Sequence, residues 1–316
     1  MFRSWRIRCG FGSVSGFVFR NPSAGNLGGP ILSFTSRRSS SHTSGSWDAH
    51  MDLAFVEKCP SPEFDTGCTY CRPEFPADKP VKIGAALHGT APLIKKHLLV
   101  SSGYSEWPSR TEFEHNSFQA KLRELQQQGV RRDPDFNFMI TSTALSPANP
   151  PEDQSWSLYM YPDGLYFPRI PYSKGEAFIK RYLIPSRSHE GEGVENEIDF
   201  FREESPIVAI CAHTARDARC GIVGPMLQAE FEQVLGSKGL LYDPRTKKGI
   251  RSTLVSHVGG HAYAGNIIYF RGDGSSIWYG HVNPEHVQGI VKETIEGGRV
   301  IRELYRGGLM VNPERL

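Results

Sequence analysis

Two histidines, His257 and His261, stand four positions apart in "HVGGH", and two cysteines, Cys211 and Cys220, close the ends of "CAHTARDARC". Thiolate and neutral imidazole are both good ligands for borderline metals, so these four side chains could share one inorganic centre. Three readings compete. In the plainest, two buried thiols or a disulfide accompany two unrelated loop histidines. In the second, a Cys2His2 zinc ion braces the loop; zinc takes these donors tetrahedrally, but the usual cysteine spacing in such sites is shorter than the eight residues found here. The third is a 2Fe–2S cluster, which needs two ligands per iron and loops with room for two irons and two sulfides. Wide cysteine spacing on one side and H-x3-H on the other suit it better. Gly259 and Gly260 would let the backbone approach such a body and aim amide hydrogens at its sulfides. Arg216 and Arg219, between the cysteines, are placed to offset its negative charge.

A second pair, Cys68 and Cys71, forms C-x-x-C in "CPSPEFDTGCTYCRPEFPADKP". A redox-active pair of this spacing opens a helix, which lowers the thiol pKa. Here Arg72-Pro73 follows and no helical periodicity appears, so thiol exchange, metal or disulfide pairing, and plain loop thiols all remain open. Six cysteines in 316 residues do not make a secreted disulfide scaffold.

The elements that must position the four candidate ligands read out in a repeated order. In the first half, "KHLLVSS" (96–102) is a strand, 114–130 a helix stopped at Gly129, and "FNFMITST" (136–143) a strand. Residues 155–170 are two strands around Pro162-Asp163-Gly164, and 174–183 is a helix. A polar stretch, 184–205, separates this from the second half. There "PIVAICAH" (206–213) is a buried-type strand, and 224–239 is a helix with Pro225 in its first turn. "IRSTLVS" (250–256) is a strand, "NIIYF" and "SIWYG" flank a hairpin turn, and 283–298 is a helix with Asn283 as N-cap. Strand, helix, strand, hairpin, helix, twice over, is the order of two tandem thioredoxin-like units in an α/β chain. The loop after the first strand and the loop before the hairpin then meet at one end of the sheet, which gathers Cys211, Cys220, His257 and His261.

Charge sorts the chain further. Residues 1–47 hold six Arg, eleven Ser and no Asp or Glu, the composition of an organelle transit peptide. Subtracting those six charges from the formal +2 leaves −4, so the basic balance belongs to the targeting segment. Nothing in the charge argues for nucleic acid. No run of eighteen apolar residues marks a transmembrane helix. No G-x-G-x-x-G or Walker loop is present, so no flavin or nicotinamide is assigned.

"HVGGHAYAGNIIYF", "IWYG", "HVNPEHV", "CAHTARDARCGIVGP" and "YRGG" (305–308) together resemble the thioredoxin-like 2Fe–2S ferredoxins in their bis-histidinyl branch, the sucrase/ferredoxin-like family, and above all its mitochondrial members. The likeness is dense over 206–310, weaker over 85–190 and slight over 1–80. It implies a 2Fe–2S cluster ligated by Cys211, Cys220, His257 and His261, both cysteines on one iron and both histidines on the other. Imidazole in place of thiolate removes negative charge and raises the potential, the lever that Rieske centres use. Free imidazole nitrogens can titrate, which would couple electron uptake to a proton. The organisation expected is a mitochondrial targeting segment (1–47), an irregular arm with the C-x-x-C (48–92), an N-terminal thioredoxin-like domain (93–190), a linker (191–205) and a thioredoxin-like ferredoxin domain (206–316). The function implied is electron transfer in the matrix or intermembrane space with redox protein partners, serving thiol homeostasis, as a carrier and not as an enzyme with its own substrate. The alternative is a non-redox binding module braced by zinc or a disulfide. Nothing in the sequence supports the "sucrase" of the family name, since no pair of glycosidase carboxylates is evident.

Overall fold

The computed structural model describes residues 53–131, 133–184, 198–309 and 311. The basic segment 1–47, with Cys9, and part of the 191–205 linker lie outside the described residues.

Strands and helices follow in the order β1 (Phe55–Val56), β2 (Lys96–Ser101), α1 (Phe118–Gln127), β3 (Phe138–Thr143), β4 (Ser155–Tyr161), β5 (Leu165–Pro171) and α2 (Gly175–Leu183). After the linker come β6 (Phe201–Arg202), β7 (Ile207–Cys211), α3 (Ala218–Ser237), β8 (Arg251–Val255), β9 (Ile267–Phe270) and β10 (Ser276–Tyr279). The last elements are α4 (Val287–Ile290, continued as a π-helix to Glu296), β11 (Val300–Ile301) and β12 (Tyr305–Leu309).

The local causes are conventional. Ser117 caps α1 by accepting from the Ala120 N–H, and Phe118, Leu122 and Leu125 form its buried stripe. Gly129 takes the left-handed conformation that ends it, with the Val130 N–H donating to Leu125 O. β7 reads IVAIC and is buried along its whole length, as a parallel strand covered on both faces must be.

Among the described residues, ten strands form one sheet in the order β12-β10-β9-β7-β8-β3-β2-β4-β5-β6. Each half has a parallel pair joined through a helix, β2∥β3 through α1 and β7∥β8 through α3. In each half an antiparallel hairpin is added beside the first strand of that pair. The element order expected for each half is therefore present. The halves join edge to edge, antiparallel, where Thr143 pairs with Val255 and the Ser256 N–H donates to Ser142 O at 2.8 Å. One hydrophobic cluster, including Leu99 and Tyr159 from the first half and Ile207, Ala209 and Cys211 from the second, runs across that junction.

Two features differ from the sequence reading. The helix placed at 224–239 begins at Ala218, because Asp217 caps it by accepting from the Arg219 N–H. Pro225 is inside this helix, not in its first turn. Gly221, whose carbonyl Pro225 cannot reach as a donor, is packed against Thr214 so closely that a Cβ would fall 2.3 Å from its Oγ1. Among the described residues the arm, 53–92, contributes the short β1, which pairs parallel to β11, and it is docked along the second half. Thr66 and Thr69 donate to the fully buried Glu230 carboxylate of α3, Arg72 pairs with Glu285, and Gln288 bonds the backbone of Glu63 and Phe64. A buried carboxylate needs such donors, and the arm supplies them.

Candidate metal centre

β7 and β8 are parallel and in register at Cys211 and Val255, so Cys211 and the loop that follows β8 share one end of the sheet. Cys220 is the third residue of α3, whose N-terminus is the positive end of the helix dipole. Both cysteines are free thiols with 1% exposure. They form a tightly coupled pair. The Cys220 thiol, then the neighbouring His257 ring and the Val258 N–H, favour the ionised form of Cys211 and hold it well below the ordinary thiol range against the opposing effect of burial. Cys220 is pushed up by its hydrogen bond with Cys211 and by burial.

The His257 and His261 rings lie 5.6 Å apart between centroids. Gly259 and Gly260 between them both have positive φ, 83° and 73°, which turns the loop back on itself. His257 Nδ1 is buried and makes no hydrogen bond. Its backbone N–H donates to His213 Nδ1, and His213 Nε2 in turn donates to the Trp107 carbonyl at 2.9 Å. His213 is 2% exposed, so this relay ties the histidine loop to the first half of the chain. His261 is at the solvent-facing rim, and partial burial of its ring pulls its pKa below the usual imidazole value.

All four residues singled out from the sequence thus stand at one end of β7 and β8: a buried thiol pair behind, two imidazoles in front. Among the described residues no three His, Cys, Asp or Glu side chains are gathered about one point as a single metal ion would require. The donor set suits a body with two metal atoms: two thiolates on one side, two imidazoles on the other, an unpartnered buried ring nitrogen, and glycines in the turn between.

Of the two arginines expected to offset negative charge here, Arg219 does favour the ionised form of Cys220, but it is itself held by a carboxylate. Arg219 grips Asp217 through two bonds, Nε–Oδ1 at 2.9 Å and Nη2–Oδ2 at 3.0 Å, and donates to Pro80 O. Its charge is thereby matched. Arg216 reaches Ser109 O at the surface. A further buried cation, Arg306 of β12, 1% exposed, lies against the Gly260 turn; it is part of "YRGG", which gives it no role in the sequence. His213 and Asn266 were likewise missed. The only signal for His213 was its place two residues after Cys211; Arg306 and Asn266 had none, since their roles depend on strands distant in sequence.

Cys68 and Cys71 are not part of this centre. A turn holds them, with the Cys71 N–H donating to Cys68 O at 3.0 Å, and no helix follows. Burial, Cys71 and the nearby Glu230 and Asp65 carboxylates push the Cys68 thiol up to about 12, the opposite of an activated nucleophile.

Comparison with known proteins decides the lineage. The model of the sucrase/ferredoxin-like family matches residues 87–307. The chain belongs to the sucrase/ferredoxin-like family. Two relatives are each named "Altered inheritance of mitochondria protein 32". That of Meyerozyma guilliermondii is 38% identical over 276 residues, 80% of this chain and 95% of the relative. That of Clavispora lusitaniae is 38% identical over 278 residues, 81% and 96% respectively. Among solved structures, a thioredoxin-like [2Fe–2S] ferredoxin from Aquifex aeolicus is similar at 18% identity and a TM-score of 0.26, covering 35% of this chain and 97% of that one. The family match spans both halves of the sheet.

Proposed function

We propose that this sucrase/ferredoxin-like protein is a mitochondrial one-electron carrier that holds a 2Fe–2S cluster through Cys211, Cys220, His257 and His261. The observation that carries the reading is the meeting of a coupled, buried thiol pair with the H-x3-H loop at one end of β7 and β8. Family membership supports it, as does the mitochondrial name borne by the relatives. The Arg- and Ser-rich, acid-free segment 1–47 fits a targeting role. In this reading the two halves are tandem thioredoxin-like domains, 93–190 and 206–316, only the second of which carries the centre.

A cluster of this kind supplies one-electron transfer without bond making. The chain's own residues set its surroundings. Cys211 and Cys220, buried against Val255 and Ile268, keep water from the thiolate side. The α3 N-terminus and the Val258 N–H favour negative charge on sulfur. His213 fixes the His257 backbone through the Trp107 carbonyl. His261 at the rim gives the shortest route to solvent, and a redox partner would dock there. The role served is thiol redox homeostasis, with the donor and acceptor being proteins.

Purified full-length protein should contain iron and acid-labile sulfide in equal amounts, about two of each per chain. A colourless protein with one bound zinc and no labile sulfide would mean that the loop is a structural brace.

A further inference from the structure

Among the described residues, Arg306 carries its charge into the interior without a carboxylate partner. Nε donates to Thr90 Oγ1 at 3.0 Å, Nη2 to Thr90 O at 2.7 Å, and Nη1 to Asn266 Oδ1 at 2.6 Å and Gly259 O at 3.4 Å. Among the described residues, every acceptor is formally neutral. Burying a guanidinium is costly unless negative charge faces it. A neutral side chain could brace the same carbonyls at far lower cost, so the retained charge points to an anion.

The surroundings identify that anion. Gly260, between the two histidines, lies directly on the guanidinium: a Cβ there would be 2.4 Å from Nη2. Asn266 Nδ2 donates to Gly260 O at 2.9 Å, so Arg306 holds this turn twice, once through Gly259 O and once through Asn266. Burial draws the Arg306 pKa down to about 10, while Tyr263, Cys211 and Cys220 act in the opposite direction, favouring its charge. Arg219, the other buried cation nearby, is already matched by Asp217.

We infer that Arg306 is a positioning residue that sets the reduction potential of the centre: its fork holds the Gly259–Gly260 turn, and its fixed charge favours the more negative, reduced state. The inference rests on the cluster reading above. With two thiolates, two sulfides, two ferric ions and neutral imidazoles the formal charge is zero; one electron from a donor protein reduces one ferric ion to ferrous, and no bond forms or breaks. A fixed positive charge therefore stabilises the product of electron uptake over the starting state.

Potentiometric titration of the full-length holoprotein, read by electron paramagnetic resonance, tests this on Arg306→Gln, Arg306→Met and Arg306→Lys. The Gln and Met proteins should shift the one-electron reduction equilibrium at least tenfold toward the oxidised form, a drop of 59 mV or more. The Lys protein should stay within threefold of wild type. Should Arg306→Gln fail to load iron, Arg306→Met reads the same quantity, since it removes the same charge and buries no polar group of its own. Full iron content with a wild-type potential in the neutral variants overturns the role of Arg306 and leaves the cluster reading standing. A wild-type protein without iron or labile sulfide overturns both.

Discussion

Cys211→Ala and Cys220→Ala proteins should purify without the iron centre and should unfold at lower temperature than wild type. Cys211 is at the end of β7, opposite Val255, inside the cluster that joins the two halves and that includes Ile268 and Trp278. Removing its sulfur deletes a ligand and leaves the Val258 N–H without its acceptor. Loss of a buried acceptor and of packing costs about 1–3 kcal/mol. Loss of a bound group that only the native state holds removes further stability by mass action. Cys220→Ala has a milder packing term, because the residue is in the first turn of a twenty-residue helix that Asp217 still caps. Iron analysis and thermal denaturation of each variant beside wild type measure both effects. Unchanged iron in either variant contradicts the ligand assignment.

His257→Cys and His261→Cys proteins should keep a centre of altered potential. Thiolate places a full negative charge on the iron where neutral imidazole places none, so reduction becomes harder, by on the order of 100 mV. The dependence of potential on pH should weaken in His261→Cys, where the ring whose pKa partial burial lowers has been removed. His257 is expected to give the larger perturbation. Its Nδ1 is buried and its backbone is held by His213, whereas His261 is at the rim, where water screens added charge. A potential that matches wild type in His257→Cys would rule out histidine ligation.

How much of this could be read in advance varied with the range of the interaction. β2, β7 and β8 were readable from apolar runs, and α1 from the spacing of Phe118, Leu122 and Leu125, because those signals are local. The gathering of Cys211, Cys220, His257 and His261 followed from the strand–helix–strand order alone, since a right-handed crossover brings the two strand ends together. The start of α3 was misplaced because Pro225 is a strong first-turn signal, and Asp217 overrode it with a cap eight residues earlier. The docking of the arm on Glu230 and the junction of β3 with β8 were not readable. Each depends on partners more than a hundred residues apart, with no periodicity to announce them. Arg306 shows the same limit most clearly. Its neighbours are Thr90, Gly259 and Asn266, and only the assembled sheet places a strand near the C-terminus beneath a loop between β8 and β9.

The central claim is that two histidines and two cysteines share one cluster. Pulsed electron paramagnetic resonance on dithionite-reduced, 15N-histidine-labelled holoprotein addresses it most directly. A rhombic signal of the Rieske kind is expected, with strong couplings from two inequivalent histidine nitrogens, one lost in His257→Cys and the other in His261→Cys. A reduced-cluster signal with no histidine nitrogen coupling, or one whose couplings survive both substitutions, would contradict it.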